Sequence, residues 1–541
     1  MFTPFLLVSP LLLAQGAGQP QDGFVLLAPQ SGTDAHLLDN QGQVVHTWPG
    51  TIGPGNAAYL LPGGNLLRTL HRSGSLGGSG GGFQEVAYDG TVVFDFTYDN
   101  ADHLSHHDVE VLPNGNVLVI AWEYITRNDA IAAGRNPAYL QGSVFAPDHL
   151  IEVVRSGPNA GQIVWEWHLM DHLVQDFDPS KSNYGVVADH PELMDINYPP
   201  RRVNQGDWSH VNSVDYHPGF DQIVISSHNI NEFWVIDHST TTAEAASHSG
   251  GQSGMGGDFL YRWGNPEAYG RGTPANRMLW GQHDVQWIQE GKPGAGNFLL
   301  FNNGLNRPAG AWSSIDELTP PVDATGNYSI WPGVAFGPGQ LAWTWSATNP
   351  PDFYSQNISG CERMDNGNTL VCSGNQGWLF EVTPAGDMVW EHQNTLPSPN
   401  TNRVFKVRRY THFLWPEVAS ISASVGGTVE FHMKAGTHQA GRNYVLAACV
   451  SGTSPGTTIP GTGITVPLNR DHVTDFVLAN LNSSMLGGFA GTLDVQGAAD
   501  ALLNTMGALP PAMAGRTVHF AFVLTNPMDF ASNAMGIEVL P

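Results

Sequence analysis

Residues 106–118 read His106-His107-Asp108-Val109-Glu110-Val111-Leu112-Pro113-Asn114-Gly115-Asn116-Val117-Leu118, so that two histidines precede an apolar strand and a tight turn. Asn-Gly supplies the positive φ angles that a tight hairpin requires. A turn of this kind recurs before other apolar runs, in strict or looser form, at residues 61–67, 217–223, 294–299 and 364–370. The pattern predicts a repeated β-hairpin.

A second pattern alternates with the first: a glycine turn followed by a strand that ends in an aromatic residue. Its six copies end at Trp48, Phe96, Trp167, Trp263, Trp345 and Trp390. Six copies predict six antiparallel sheets of roughly 40–70 residues each, the spacing of blades in a β-propeller. Residues 403–407 are predicted to be a final strand that completes the N-terminal blade, and residues 239–258 an insertion on one face. A sandwich of two sheets is the alternative.

After about Pro416 histidine and tryptophan become rare, but strand-like runs continue, with one short helix predicted at residues 498–506. We therefore predict an all-β chain. It consists of a six-bladed β-propeller over residues 22–413 and a smaller C-terminal β-sandwich, an accessory domain, over residues 416–541.

Composition excludes some classes of partner. The chain has 22 basic and 48 acidic side chains and a formal charge of −26, so binding to nucleic acid is not expected. Residues 5–14 form an apolar run too short to span a bilayer, and small residues follow it. This predicts a signal peptide over residues 1–18 and an exported protein, periplasmic, secreted or at the cell surface. No membrane span is predicted, and the oligomeric state is left open.

Three cysteines are present. Cys361 and Cys372 flank Asn366-Gly367 symmetrically, so a two-residue turn would place them opposite each other. A disulfide and a pair of reduced, packed cysteines are both compatible with this spacing.

Histidines recur at equivalent points of the repeat. His106 and His107, His210 and His283 each stand where a turn-entering strand begins, and His228 follows the strand paired with that of His210. Strand starts from different blades meet around the axis of a propeller, so these imidazoles are expected to converge there. Asp108, Asn212 and Asp284 follow one or two residues later, and are expected either to orient the imidazoles or to cap the turns.

Four segments carry a resemblance to the bacterial arylsulfotransferase family: residues 206–213, 281–284, 301–304 and 366–370 with 389–391. The resemblance covers most of residues 22–413. It implies a six-bladed propeller with an axial active site, and a ping-pong transfer of sulfuryl from a small aromatic sulfate ester to a phenol, with no nucleotide donor and no cofactor.

On the family pattern His283 matches the nucleophile. His210 and one of His106 and His107 match the residues that bind the sulfuryl oxygens or serve the phenolic oxygen. The predicted site thus comprises two sets of residues: catalytic His283, His210, His228, His106 and His107, and substrate-binding Asn212, Asp284, Asn303 and Arg307.

One departure from the family pattern concerns charge. His228 stands where the family usually has arginine, which binds sulfate with a permanently charged fork. Arg307, Arg262 and Arg271 are the candidates to replace that charge. Two other functions therefore stay open: a noncatalytic propeller that binds a ligand or a protein, and a metal site in the axial channel built from the same histidines with Asp108 or Asp284.

Overall fold

The computed structural model describes residues 18–61, 63–140, 142, 144–199, 206–411 and 413–541. Apart from Gly18, the predicted signal peptide lies outside these residues. The fold is nearly all β, with 39% of residues in strands and 8% in helices. None of the helices described is long and apolar enough to cross a membrane.

Antiparallel groups of four strands, called sheets 1 to 6, follow one another along the chain, and one parallel bridge between Asn56 and His107 joins sheets 2 and 3. Sheet 1 combines three N-terminal strands with one from much later in the sequence: Phe24–Leu27, Ala35–Leu38, Val44–Trp48 and Arg408–Tyr410. Sheet 2 comprises Pro54–Leu60, Leu66–Leu70, Gly82–Val86 and Val92–Thr97. Sheet 3 comprises His103–Val111, Val117–Glu123, Asp148–Val153 and Ile163–His168.

Three further sheets repeat this order. Sheet 4 comprises Val211–His217, Gln222–Ser227, Glu232–Asp237 and Tyr261–Trp263. Sheet 5 comprises His283–Trp287, Phe298–Asn302, Ser314–Leu318 and Trp343–Trp345. Sheet 6 comprises Gly360–Arg363, Thr369–Ser373, Trp378–Val382 and Met388–Gln393.

The two sequence patterns take fixed places in these sheets. In sheets 2 to 6 the turn of the first pattern joins the first strand to the second, and Gly115 and Gly367 adopt the positive φ angles of 86° and 89° that these turns need. Five of the six aromatic residues of the second pattern lie on or next to the last residue of the outermost strand, and Trp390 lies three residues before the end of its strand. The predicted repeat is therefore a structural repeat.

The first strands of successive sheets contact each other, from sheet 2 through to sheet 6. The strand Arg408–Tyr410 pairs with Phe24–Leu27 and also contacts the first strand of sheet 6, while Phe24–Leu27 contacts sheet 2. The closing strand thus pairs where the sequence predicts, but at residues 408–410 rather than 403–407. In that earlier stretch only Val404 forms an isolated bridge, to Pro29.

A four-stranded and a five-stranded sheet follow. One comprises Leu414–Pro416, Thr428–Lys434, Ala498–Asn504 and Leu486–Gly487, and the other Ser420–Ser422, Met535–Leu540, Thr517–Thr525, Asn443–Cys449 and Ala490–Thr492. Their buried side chains share one apolar cluster with sheet 1, in which Trp415 lies 6.2 Å from Phe24 between ring centroids. The helix predicted at residues 498–506 is wrong, because Ala498–Asn504 pairs along its length with Thr428–Lys434.

The remaining elements are short. Three two-residue strand pairs join Ile125–Thr126 to Val144–Phe145, Leu173–Val174 to Met194–Asp195, and Thr457–Thr458 to Thr465–Val466. The α-helices are Arg127–Ala132, Thr242–Ala245 and His472–Ala479. The 3-10 turns are Pro137–Tyr139, Leu169–Asp171, Val187–Asp189, Pro266–Tyr269, Pro274–Asn276, Pro350–Asp352, Thr437–Gln439 and Pro511–Met513.

The expected alignment of Cys361 with Cys372 is wrong. The turn is longer than two residues, because the pairing nearest to it is Arg363 with Thr369, and Cys361 therefore lies opposite Val371. The two thiols enter different apolar clusters, and all three cysteines are free and buried.

Candidate active site

Bulges near the starts of the first strands of sheets 3, 4 and 5 determine the direction in which their histidine side chains point. Strand pairing shifts register between Ser105 and Val109 in sheet 3, and comparable shifts occur at the starts of the first strands of sheets 4 and 5. His107, His210 and Asp284 have φ angles of 53°, 52° and 54° at these points. A bulge bends a strand and redirects its side chains. The repeated bulge therefore presents one histidine per strand at the same end of the sheets.

Four imidazoles line one cavity of about 510 Å³. Ring centroids are 4.6 Å apart between His107 and His210, 5.2 Å between His210 and His228, and 5.3 Å between His228 and His283. Phe405 lies 5.9 Å from His107 and 6.1 Å from His283. The imidazoles thus follow one another along the cavity wall from His107 to His283 in an arc, the histidine row, and Phe405 lies near both ends of this arc.

The tautomer of His283 follows from its neighbours. The amide nitrogen of Asn303 donates to the carbonyls of Ser355 and Ile358, so its oxygen faces His283 Nδ1 at 2.8 Å. Because that oxygen only accepts, Nδ1 carries the hydrogen. Nε2 is left with its lone pair, which accepts the backbone N–H of Ile358 at 3.2 Å.

His283 and His107 are both buried, and burial keeps them uncharged. It lowers the pKa of His283 to about 4, although the bond to Asn303 offsets part of the effect. Burial, reinforced by the neighbouring histidines, also lowers the pKa of His107 well below its usual value. At neutral pH both rings are therefore neutral, and the Nε2 lone pair of His283 is not blocked by a proton.

Behind His107 lies a second histidine. His106 Nδ1 is 2.7 Å from His107 Nδ1, and His106 Nε2 is 2.8 Å from a carboxylate oxygen of Asp148. His106 also stacks on Trp122, with ring centroids 3.9 Å apart. Of the adjacent pair, His107 lines the cavity, and His106 connects it to a buried carboxylate.

His210 and His228 also have partners at Nδ1. An oxygen of Asp207 lies 2.5 Å from His210 Nδ1, and Trp122 Nε1 holds the other oxygen of this carboxylate at 3.0 Å. The side-chain oxygen of Asn229 lies 3.0 Å from His228 Nδ1. Asp207 thus positions the His210 ring through Nδ1.

Sequence reasoning missed several residues of the cavity wall. Asp207 precedes His210 by three residues, and Gly78 packs against His107 so closely that a Cβ there would lie 1.9 Å from the ring. Arg403 also lines the cavity, and donates to Asn375 Oδ1 at 2.7 Å. The proximity of Asp207 in sequence was the available signal. Gly78 and Arg403 come from distant parts of the chain.

The predicted substrate-binding residues mostly lie elsewhere. Asn303 touches His283. Asn212 instead donates to the backbone carbonyl of Gln282 at 2.8 Å, and Arg307 stacks on Trp312 at 3.6 Å. Arg262, the second candidate for the missing charge, is fully buried against Glu232, and Arg271 donates to the carbonyls of Ala188 and Val334. These arginines do not line the histidine cavity.

Asp284 belongs to a buried layer of charges behind the cavity. Its oxygens accept from Arg408 at 2.6 and 2.9 Å and lie 3.3 Å from Lys406 Nζ, which is 2.6 Å from Asp108. Burial opposes ionisation, but Arg408 and Lys406 outweigh it and lower the pKa of Asp284 to about 2. The expectation that Asp108 or Asp284 orients an imidazole through Nδ1 is therefore wrong.

The same contacts bear on the hypothesis of an axial metal site. Asp108 and Asp284 are engaged by Lys406 and Arg408. Within the described residues, three groups of histidines and carboxylates bring their ligand atoms within 4.8 Å of one another, and none includes a cavity histidine. The geometry therefore does not support a metal site at this position.

The family model described as Arylsulfotransferase (ASST) matches residues 15–409. No curated protein matches the chain significantly.

Solved structures give distant likenesses. A protein of unknown function from Bacteroides caccae is 10% identical with a TM-score of 0.39, covering 72% of this chain and 98% of its own. Virginiamycin B lyase from Staphylococcus aureus is 10% identical with a TM-score of 0.33, covering 71% and 85%. Hydrazine synthase from Kuenenia stuttgartiensis is 10% identical with a TM-score of 0.34, covering 71% and 80%. Scores this low identify neither fold nor activity.

Proposed function

Because this chain belongs to the arylsulfotransferase (ASST) family, we propose that it moves a sulfuryl group from a phenolic sulfate ester to a phenol through a sulfohistidine at His283. The observation that carries the proposal is the cavity in which four imidazoles from three sheets meet, with a neutral His283 at one end of the row. No nucleotide or other cofactor takes part in the proposed reaction.

We further propose that residues 22–413 form a six-bladed β-propeller and residues 416–541 a β-sandwich. The contacts between successive first strands, and the late strand that pairs into sheet 1, support the propeller. The apolar cluster shared by the two C-terminal sheets supports the sandwich. Export is proposed from the apolar run at residues 5–14 alone.

In the first half of the reaction, the Nε2 lone pair of His283 leaves its long bond to Ile358 and attacks sulfur. The N–S bond forms as the bond from sulfur to the phenolic oxygen breaks. Attacking and leaving atoms are expected to lie in line, as in phosphoryl transfer. The departing phenoxide then leaves on the side of sulfur opposite His283 Nε2, where we propose that it faces His107.

His107 can protonate that phenoxide without itself holding a charge. The proposed relay requires a proton on both nitrogens of His106: His107 then donates from Nε2 to the phenoxide while its Nδ1 takes the hydrogen of His106 Nδ1. Both rings are then neutral. In the second half the acceptor phenol gives its proton to His107 Nε2, the relay runs backward, and the phenolic oxygen takes the sulfuryl group from His283.

The sulfuryl oxygens need positive charge or N–H donors. Arg403 at the cavity wall is proposed to supply positive charge, and His210 and His228, between His107 and His283 along the wall, are proposed to contact the sulfuryl group. Asn303 and Asn229 act as positioning residues, because they fix which ring nitrogen of His283 and His228 faces the cavity.

The test uses 4-nitrophenyl sulfate with the full chain. Without acceptor, we expect a burst of one nitrophenol per protein and a gain of one sulfuryl group in mass, mapped to His283 by peptide mass spectrometry. His283→Asn should abolish both. His217→Asn, at the far end of the strand that follows His210, is the matched control and should retain them.

Three other results would contradict parts of the proposal. A full burst in His283→Asn would exclude this nucleophile, and a label on His107 would reverse the assigned roles. Tight binding of aryl sulfates or phenols, with no burst across a panel of donors and acceptors, would favour the noncatalytic binding propeller.

A further inference from the structure

A second group of histidines lies outside the cavity, where two loops meet. The connection between Glu232–Asp237 and Tyr261–Trp263 contains a short helix, Thr242–Ala245, and a glycine-rich stretch that ends at Asp258. Its helix packs against the strand Ile163–His168, and His172, in the turn after that strand, contacts Ala245 and Asp258. This connection contains the insertion predicted at residues 239–258, and the proposed transfer reaction assigns it no role.

Three potential ligands meet at this contact. His172 Nδ1 lies 2.7 Å and His248 Nδ1 2.8 Å from the same oxygen of Asp258. All three atoms lie within 4.8 Å of one another. The two imidazole planes are nearly perpendicular, at 85°. His172 and Asp258 are buried, whereas the His248 side chain is 61% exposed.

The backbone around His172 places a ring hydrogen on Nε2, the nitrogen that faces away from Asp258. Its Nε2 lies 2.8 Å from the carbonyl oxygen of Ala245, which can only accept. In a neutral ring Nδ1 then presents a lone pair to a carboxylate oxygen. Two acceptors 2.7 Å apart repel each other unless Nδ1 carries a proton or one metal ion binds both atoms. Donation of the other ring N–H to a backbone carbonyl is the usual arrangement of a metal-binding histidine.

The group is also preorganised. Trp167 lies parallel to His172, with centroids 5.6 Å apart, and its Nε1 donates to the carbonyl of Gly257 at 2.7 Å. This hydrogen bond fixes the backbone of Gly257, the residue immediately before Asp258. One indole thus positions a ligand from each of the two loops.

We propose that His172, His248 and Asp258 bind one divalent transition-metal ion, for which Zn²⁺ fits best, and that the ion fastens the connection to the turn after sheet 3. Two imidazole nitrogens and a carboxylate oxygen are a ligand set that Zn²⁺ accepts, with a fourth position open on the exposed His248 side. Imidazole ligands argue against Ca²⁺ and Mg²⁺. The site is independent of the transfer reaction.

The other two groups are poorer candidates. In the group of Glu123, His149 and His168, His168 lies between two carboxylates, 3.1 Å from Glu123 and 3.4 Å from Glu166. Although burial opposes it, these carboxylates raise the pKa of His168, which favours a bound proton over a metal ion. The group of Glu430, His432 and Asp500 lies at the surface of the C-terminal sheets.

The experiment titrates the chelator-treated full chain with Zn²⁺ against a chromophoric competitor. We expect one equivalent to bind, and His248→Ala, which changes an exposed side chain, to weaken binding at least tenfold. Asp258→Asn should abolish it, with circular dichroism to verify folding. His190→Ala is the matched control, because it also removes a partly exposed imidazole beside a carboxylate, that of Glu192, and it should bind as the wild type does.

A second readout is limited proteolysis of residues 238–260. Zn²⁺ should protect this connection in the wild type and in His190→Ala, but not in His248→Ala. The proposal is overturned if no stoichiometric ion binds or if His248→Ala binds as tightly as the wild type. Binding lost in His168→Ala but kept in His248→Ala would assign the ion to the Glu123 group and would equally overturn it.

Discussion

His283 and Asp284 are adjacent in sequence but belong to opposite kinds of environment. His283 faces a cavity and is neutral, with a pKa of about 4. Asp284 faces the buried layer behind it and is ionised, with a pKa of about 2. His107 and Asp108 repeat the arrangement in sheet 3. A His-Asp pair at a bulge thus gives one residue to the proposed chemistry and one to the framework.

The charged layer extends further from the cavity. Asp215 and Glu110 lie beyond Lys406 and Arg408, and burial raises the pKa of Asp215 to about 7 and that of Glu110 well above its usual value. Basic side chains therefore outweigh the effect of burial at Asp284 and only partly offset it at Asp215 and Glu110. The buried charged layer should govern stability, whereas the histidine layer, meaning the cavity histidines and His106 behind them, should govern transfer. The two layers can therefore be separated experimentally.

The largest expected effect is on stability, in Asp284→Ala. This variant leaves Arg408 and Lys406 buried with one counter-charge fewer, and should lower the free energy of unfolding by about 3–5 kcal/mol. Chemical denaturation gives the value. Asp387→Ala, at an exposed turn, is the control and should change stability by less than about 0.5 kcal/mol. If Asp284→Ala lowered the free energy of unfolding by no more than the control does, the buried charged layer would not be what stabilises the fold.

The next largest effect is expected on the rate of transfer, in His106→Asn, which changes the histidine layer. Interrupting the relay should slow transfer by about 10²–10³-fold for sulfate esters of weakly acidic phenols, whose phenoxides need a proton to leave. Esters of strongly acidic phenols should be affected little. The slope of log kcat/KM against phenol pKa checks this, and an equal loss across the series would argue for a packing role of His106 against Trp122.

The two layers should also lose stability in different pH ranges. A histidine that is neutral when folded, with its pKa lowered from 6.5 to about 4, contributes stability above pH 6.5 that is lost as the pH falls toward 4. Asp284 loses its contribution only below pH 4, toward 2. The difference in unfolding free energy between wild type and His283→Asn should thus fall by about 3 kcal/mol between pH 6.5 and 4. A difference independent of pH would contradict the neutral state of His283.

The comparison also explains what the sequence could predict. Turn residues and strand-ending aromatics are local signals, so the order of strands was accessible from them, and the repeat singled out His210, His228 and His283. The choice of His107 over His106 was not accessible from the sequence. The register at Cys361 was not accessible either, because it depends on the length of one turn. Nor was the fate of Asp284, since its partners Lys406 and Arg408 lie more than a hundred residues away and meet it only when the late strand joins sheet 1.

The sequence also could not identify which arginine supplies the sulfate-binding charge, and the test of this point has the smallest expected effect. Sequence reasoning assigned the sulfate-binding charge to Arg307, whereas Arg403 lines the cavity and is exposed. An exposed charged hydrogen bond is worth about 1 kcal/mol, so Arg403→Ala should raise KM for an aryl sulfate about fivefold with little change in kcat. Arg307→Ala removes an equal charge away from the cavity and should leave KM unchanged. The opposite result, a higher KM in Arg307→Ala and an unchanged KM in Arg403→Ala, would mean that the charge that binds sulfate lies outside the histidine cavity. The assignment of substrate binding to the histidine layer would then be wrong.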